Sequence, residues 1–253
     1  MPRYLDVRVA YEEVKGRRSK LWVAHGILRM ETTLDNVLQQ VKQFLDATEN
    51  EIIILDFHRF EKGFEESNET VSDEVVARHK QVIKLISRTL RKYLANKTLG
   101  YDTKIKDLLE ENKRVIVGYA KHHLFDEFFL FPRVKHLWAD TDDVQRLEQF
   151  FNETLCNQHS LEPQSAMAQL TPTAWGVLFD KYGGTRKMSR KVNSIISRWF
   201  RERWWICANI VAIDFVLSND IIDTSIKANQ LRNFAIRKAR RTRFWRSTIF
   251  EQI

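Results

Sequence analysis

Apolar positions along the chain gather into short runs separated by amphipathic stretches. The runs are YLDVRV (4–9), LWVAH (21–25), EIIILDF (51–57), RVIVGYA (114–120), HLWA (136–139), SAMAQL (165–170) and NIVAIDFVL (209–217), and each has strand length and strand-forming content. Between them, TLDNVLQQVKQFLDAT puts Leu34, Val37, Leu38, Val41, Phe44 and Leu45 on one helical face, with Thr33 as N-cap. SDEVVARHKQVIKLISRTLRKYL repeats the pattern, opened by Ser72 with Asp73 and Glu74 in its first turn. Strands alternating with helices imply parallel pairing through crossover connections, so the fold class is α/β.

A closed (β/α) barrel takes eight strands, and here the first of seven candidates starts at residue 4. The expectation is a TIM-type barrel whose first strand is missing, leaving the strands at 4–9 and 209–217 as sheet edges. One domain over residues 1–225 followed by a basic tail over 226–253 is the simplest division of the 253 residues, since 8 Gly and 4 Pro leave little linker.

Composition adds two points. No run of 18 apolar residues is present, and Cys156 and Cys207 are too few for a disulfide framework, so they read as small packed hydrophobes. The net charge of +8 is matched by one tract: Lys227, Arg232, Arg237, Lys238, Arg240, Arg241, Arg243 and Arg246, with no Asp or Glu between the first and last. Such a tract favours nucleic acid or an acidic membrane surface, and reads equally as a solvated helix face.

Candidate chemistry falls at the carboxyl ends of the strand candidates, where barrels build active sites. Asp6 and Arg8 are two apart and so share a strand face. The same pair also reads as a simple ion pair across a barrel layer. His25 precedes Gly26, Asp56 ends ILD, and Asp214 interrupts an apolar run, where an ionised carboxylate needs a partner.

Taken as a spaced set, RYLDVRV, then HG, an amphipathic helix, EIIILDF and a late NIVAIDFV resemble the X-domain of phosphatidylinositol-specific phospholipases C, in particular its small X-domain-only members. The resemblance covers roughly residues 3–225. It implies a barrel of the triosephosphate isomerase type that cleaves inositol phospholipid to diacylglycerol and an inositol phosphate, with the inositol 2-hydroxyl attacking phosphorus. Arg8 would then clamp the phosphate, His25 would protonate the leaving diacylglycerol oxygen, and Asp6 would orient the pocket. Asp214 matches the carboxylate that orients the family's general-base histidine. That base sits in an early HD or HN motif that this sequence does not contain, which leaves an inactive form open. The remaining histidines are His58, His79, His122, His123, His136 and His159. Of these, His58, just beyond ILDF, reads as a surface residue or a substrate contact, and His79 as a helical residue.

By the same resemblance, calcium-dependent members carry an acidic residue where this chain has Arg8, so no metal and no other cofactor is expected. Glycerophosphodiester phosphodiesterases are a rival class, but they need paired carboxylates for a metal, and Asp-Val-Arg does not supply them. A non-enzymatic rival is a membrane-surface binding pseudoenzyme, suggested by the absent base and the basic tail. The expected partners are an inositol phospholipid and an anionic membrane surface rather than nucleic acid. HHLFDEFFLFP (122–132) and RWFRERWW (198–205) are further candidates for membrane contact; both read equally as helix faces packed on the barrel, and for the second packing is favoured. Sequons at Asn68, Asn96 and Asn152 favour a secreted or luminal parent protein over a cytoplasmic one.

Overall fold

The computed structural model describes residues 3–13, 20–26, 28–65, 71–156, 162–173, 175–176, 179 and 181–250, with side chains in the last helix to Lys238. His159 and Asn68 lie outside the described residues. The chain forms two compact units that divide between Val134 and Lys135.

The first unit holds a six-stranded sheet in the order β3-β2-β1-β4-β5-β6. Its strands are β1 (Tyr4–Glu12), β2 (Lys20–His25), β3 (Leu28–Thr33), β4 (Ile53–Phe60), β5 (Val115–Tyr119) and β6 (Leu130–Phe131). β1, β4, β5 and β6 are parallel neighbours; helix α1 (Leu34–Asp46) leads into β4, α2 (Asp73–Leu90) and α3 (Ile105–Glu110) lie between β4 and β5, and a short 3-10 turn (His122–Leu124) lies between β5 and β6. β2 and β3 instead extend the sheet antiparallel beyond β1. β1 is therefore an interior strand, flanked by β2 and β4, not the edge its position in the sequence suggested. β3 was not legible as a strand because Leu28, Arg29, Met30 and Glu31 are all exposed, and no burial pattern marks them.

The expected helices form where their patterns place them. Thr33 Oγ1 accepts the amide of Asn36 at 3.2 Å and Ser72 Oγ that of Val75 at 3.3 Å, closing both N-termini. Leu34, Leu38, Val41 and Leu45 of α1 pack with Val75, Val82 and Ile86 of α2. They meet the side of the sheet carrying Val7, Val9, Leu55, Phe57, Val115 and Val117. Each such side chain contributes about 1.5–3 kcal/mol by leaving water. His79 is indeed helical and lies in this core, its Nδ1 2.8 Å from the Tyr119 hydroxyl, whose pKa burial pushes well up. Arg114, also buried, closes the other end of α1 by donating to the carbonyls of Leu45 and Thr48, each at 2.7 Å.

Of the two readings of the aromatic stretch at 122–132, the structure favours packing. Phe125, Phe129 and Leu130 are buried in the main core and Phe131 packs with Ile116 and Tyr101, leaving Phe128 exposed. FFLF supplies β6 and its flank, and Phe129, Leu130 and Phe131 fill the two faces of the sheet, so these three are not available to a membrane.

The second unit has three parallel strands in the order β7-β8-β9, namely β7 (Lys135–Leu137), β8 (Gln164–Met167) and β9 (Ile210–Ala212). Helix α4 (Val144–Thr154) connects the first two and α5 (Thr185–Trp199) the last two. α5 runs into a π-helical turn, Phe200–Trp204. Trp199, Phe200 and Trp204 pack against Phe151 and Leu147 of α4, so RWFRERWW is a packed face as favoured above. The basic tail belongs to a 30-residue helix, α6 (Ile221–Phe250), held down by buried Ile221, Thr224 and Ala228. Arg232 donates to the carbonyls of Trp205 and Ala208, and the side chains from Asn233 to Lys238 are exposed. No helix among the described residues is long and apolar enough to cross a membrane.

Cys156, just past α4, is disulfide-bonded to Cys207, just past the π-helical turn, with Cα atoms 5.3 Å apart. This corrects the reading of both as small hydrophobes; Cys156 is exposed. A link across a sequence separation of 51 residues removes unfolded-state entropy worth about 4 kcal/mol in the loop-closure model. Replacing both cysteines by serine is therefore expected to lower the unfolding free energy by roughly that amount, measured by denaturant titration without reductant.

Candidate active site

The face of the first sheet opposite α1 and α2 is apolar at one end and polar at the other. Ile54 and Ile116, with Ala95, Leu108 and Phe131, close the apolar end. One pleat further on, toward the carboxyl ends of β4 and β5, lie Asp56 and Gly118, which are direct register partners. Asp56 is also the register partner of Asp6 across β1.

Asp56 is completely buried, and it is supplied with donors accordingly. Its Oδ2 accepts from the Tyr4 hydroxyl at 2.9 Å, and its Oδ1 accepts from the amide of Val134 at 3.1 Å. His58 Nδ1 lies 3.7 Å from Oδ2. Gly118 makes room for the carboxylate, since a Cβ there would stand 2.6 Å from Oδ1. A bulge shifts the register so that Arg8, two residues past Asp6, is opposite Arg59, three residues past Asp56. The extra residue lets Phe57 and Phe60 both reach the core while His58 remains beside Asp56.

Asp6 and Arg8 lie on the same face, as their spacing predicted, joined by an ion pair of 3.4 Å. Both are only about one-fifth exposed, 19% and 21% respectively. One guanidinium nitrogen meets Asp6, and the planar group carries further donors suited to a phosphate.

His25 closes β2, exposed, ahead of Gly26, whose φ of +59° makes the tight turn into β3. β2 pairs Val23 with Val9 and runs antiparallel to β1. The sheet thus brings Asp6, Arg8, Asp56, His58 and Tyr4 together on β1 and β4 and sets His25 at the end of the adjoining strand.

Asp214 belongs to the second unit. The strand read over 209–217 ends at Ala212, and Asp214 falls in the turn beyond it, half-buried, with its carbonyl accepting from Asn193 Nδ2 at 2.9 Å. The next residue, Phe215, has a φ of 52°, which breaks the strand. Two contributors were not singled out in the sequence, Tyr4 and Gly118. Tyr4 had a usable signal, being at period two from Asp6 and Arg8 on one strand face.

No protein-family model matches the chain. Among curated proteins, PI-PLC X domain-containing protein 3 of Mus musculus is 24% identical over 238 residues, covering 91% of this chain and 70% of the relative. The Homo sapiens protein of the same name is 24% identical over 234 residues, covering 90% and 68%. The chain is related to the PI-PLC X domain-containing proteins. Among solved structures, the phosphatidylinositol-specific phospholipase C from Listeria monocytogenes matches with a TM-score of 0.59 at 17% identity, covering 89% of this chain and 78% of that one. A pentafluoro-Phe form of the Staphylococcus aureus enzyme matches with a TM-score of 0.59 at 13% identity, covering 89% and 79%. These likenesses bear out the α/β, TIM-type fold expected for a PI-PLC X domain.

Proposed function

We propose that the protein is a phosphoric diester hydrolase of the phosphatidylinositol phospholipase C type, acting on inositol phospholipid at an anionic membrane surface. The observation that carries this reading is the pairing of Arg8 with Asp6 on the strand face that also presents Asp56 and His58. Phosphoryl transfer needs positive charge at the phosphate oxygens, an acid at the leaving oxygen and a route for the proton of the nucleophile. Arg8 supplies the first, steered by Asp6. His25 supplies the acid. His58, held beside the buried Asp56, contacts the inositol phosphate.

The basic residues of α6 support a second reading, a membrane-surface binding protein without turnover. Incubating the natural full-length protein with phosphatidylinositol vesicles separates the two. Release of diacylglycerol and inositol phosphate supports the hydrolase, and vesicle binding without release supports the second reading and overturns the first.

The proposed chemistry needs no metal, because Arg8 provides the charge that calcium would otherwise bring and would repel a cation beside it. Turnover is expected to be unchanged in excess chelator. Loss of activity that added calcium restores would reject the assignment of Arg8.

A further inference from the structure

We propose that the protein matures in an oxidising, glycosylating compartment, where the Cys156–Cys207 disulfide forms and Asn96 receives an N-linked glycan. Two independent features carry this, one in each unit of the chain.

The first is the disulfide. Cys156 is exposed and Cys207 half-buried, so the bond is open to attack by a thiolate. In a cytosol poised by glutathione and thioredoxin an accessible pair of this kind is held as thiols, whereas it persists in secretory compartments. Its formation is a thiol–disulfide exchange: the two thiols give up two protons and two electrons, the Cys156–Cys207 bond forms, and the disulfide of a donor oxidoreductase is reduced to a dithiol.

The second feature is the conformation of the sequon at Asn96. Asn96 is exposed and caps the short 3-10 turn Lys97–Leu99. Its Oδ1 accepts from both the amide of Thr98 at 3.0 Å and the Thr98 hydroxyl at 2.9 Å. The acceptor asparagine and the hydroxyl residue that defines the sequon are therefore already in contact. Donation into Oδ1 draws electron density from the amide and favours the imidate-like form in which Nδ2 is a nucleophile. In the transfer, Nδ2 loses a proton to a base and bonds to the anomeric carbon of a lipid diphosphate-linked oligosaccharide. The bond from that carbon to the diphosphate oxygen breaks, and the lipid diphosphate leaves.

The sequon at Asn152 is built differently. Asn152 is exposed on α4, but the Thr154 hydroxyl donates to the carbonyl of Phe150 at 2.7 Å. The proposal accordingly rests on Asn96.

The test uses the natural protein isolated from its source cells in the presence of N-ethylmaleimide. Peptide mapping without reductant is expected to recover the Cys156 and Cys207 peptides as one linked, unalkylated species. An N-glycosidase is expected to increase the gel mobility of the protein and to deamidate the Asn96 position. Full-length Asn96→Gln and Thr98→Ala variants expressed in the same cells should both lose the mobility shift, and Thr98→Ser, which preserves the sequon, should retain it. Recovery of both cysteines as maleimide adducts, or of the Asn96 peptide unmodified from protein that the glycosidase does not shift, overturns the proposal.

Discussion

Arg8→Lys is expected to slow cleavage of phosphatidylinositol roughly 10²–10³-fold, the cost of removing one well-aimed donor from a developing anion. The charge is retained, so the loss reads geometry. A guanidinium can bond one oxygen of Asp6 with one nitrogen and still offer a planar fork to two phosphate oxygens. An ammonium on the same strand is a point charge that must divide its bonds between the carboxylate and the phosphate. The fold should survive, because Val7 and Val9 alone of these β1 neighbours enter the main core, and Arg8 faces the other way. The measurement is turnover on vesicles, with far-ultraviolet circular dichroism and the unfolding midpoint as controls. Turnover within a few-fold of the unmodified protein, with the fold intact, would reject the phosphate clamp.

His25→Ala is expected to have an effect of about 10²–10⁴-fold that depends on what leaves. The alkoxide of diacylglycerol is a poor leaving group and needs its proton as the bond to phosphorus breaks. A nitrophenyl phosphodiester of inositol leaves as a stable anion and needs little help. The substitution should therefore strike the natural lipid hardest and spare the nitrophenyl ester in part. His25 is exposed at the end of β2 and makes no contribution to either large core cluster, so a general loss of structure would not mimic this selectivity. If both substrates slow by one common factor while the fold is retained, His25 is not the acid.

Local physics accounts for what the sequence disclosed. α1 and α2 could be read because a 3.6-residue apolar period and a hydroxyl N-cap are properties of neighbouring residues, and Thr33 and Ser72 cap them in the expected way. The shared orientation of Asp6 and Arg8 followed from the two-residue period of a strand. What could not be read depends on residues far apart in the chain. The Tyr4 hydroxyl meets Asp56 across 52 residues, and the Val134 amide does so across 78. Cys156 and Cys207 come within bonding distance only once α4 and the π-helical turn are packed. The aromatic run at 128–131 was ambiguous for a different reason, since a cluster of rings looks the same in sequence whether it meets lipid or packs on a sheet.

The contact between Gly118 and Asp56 also restricts which changes these two positions can undergo. Any side chain at 118 begins with a carbon 2.6 Å from the Asp56 oxygen, in a layer where both residues are fixed by strand pairing. The carboxylate would have to swing away from Tyr4 and Val134 and surrender both bonds. Among descendants of this sequence, an alanine or larger residue at 118 should consequently be found only beside a shortened or neutral residue at 56. Lineages that keep the acid should keep the glycine, and random mutagenesis selected for folding should recover changes at 118 only in that company.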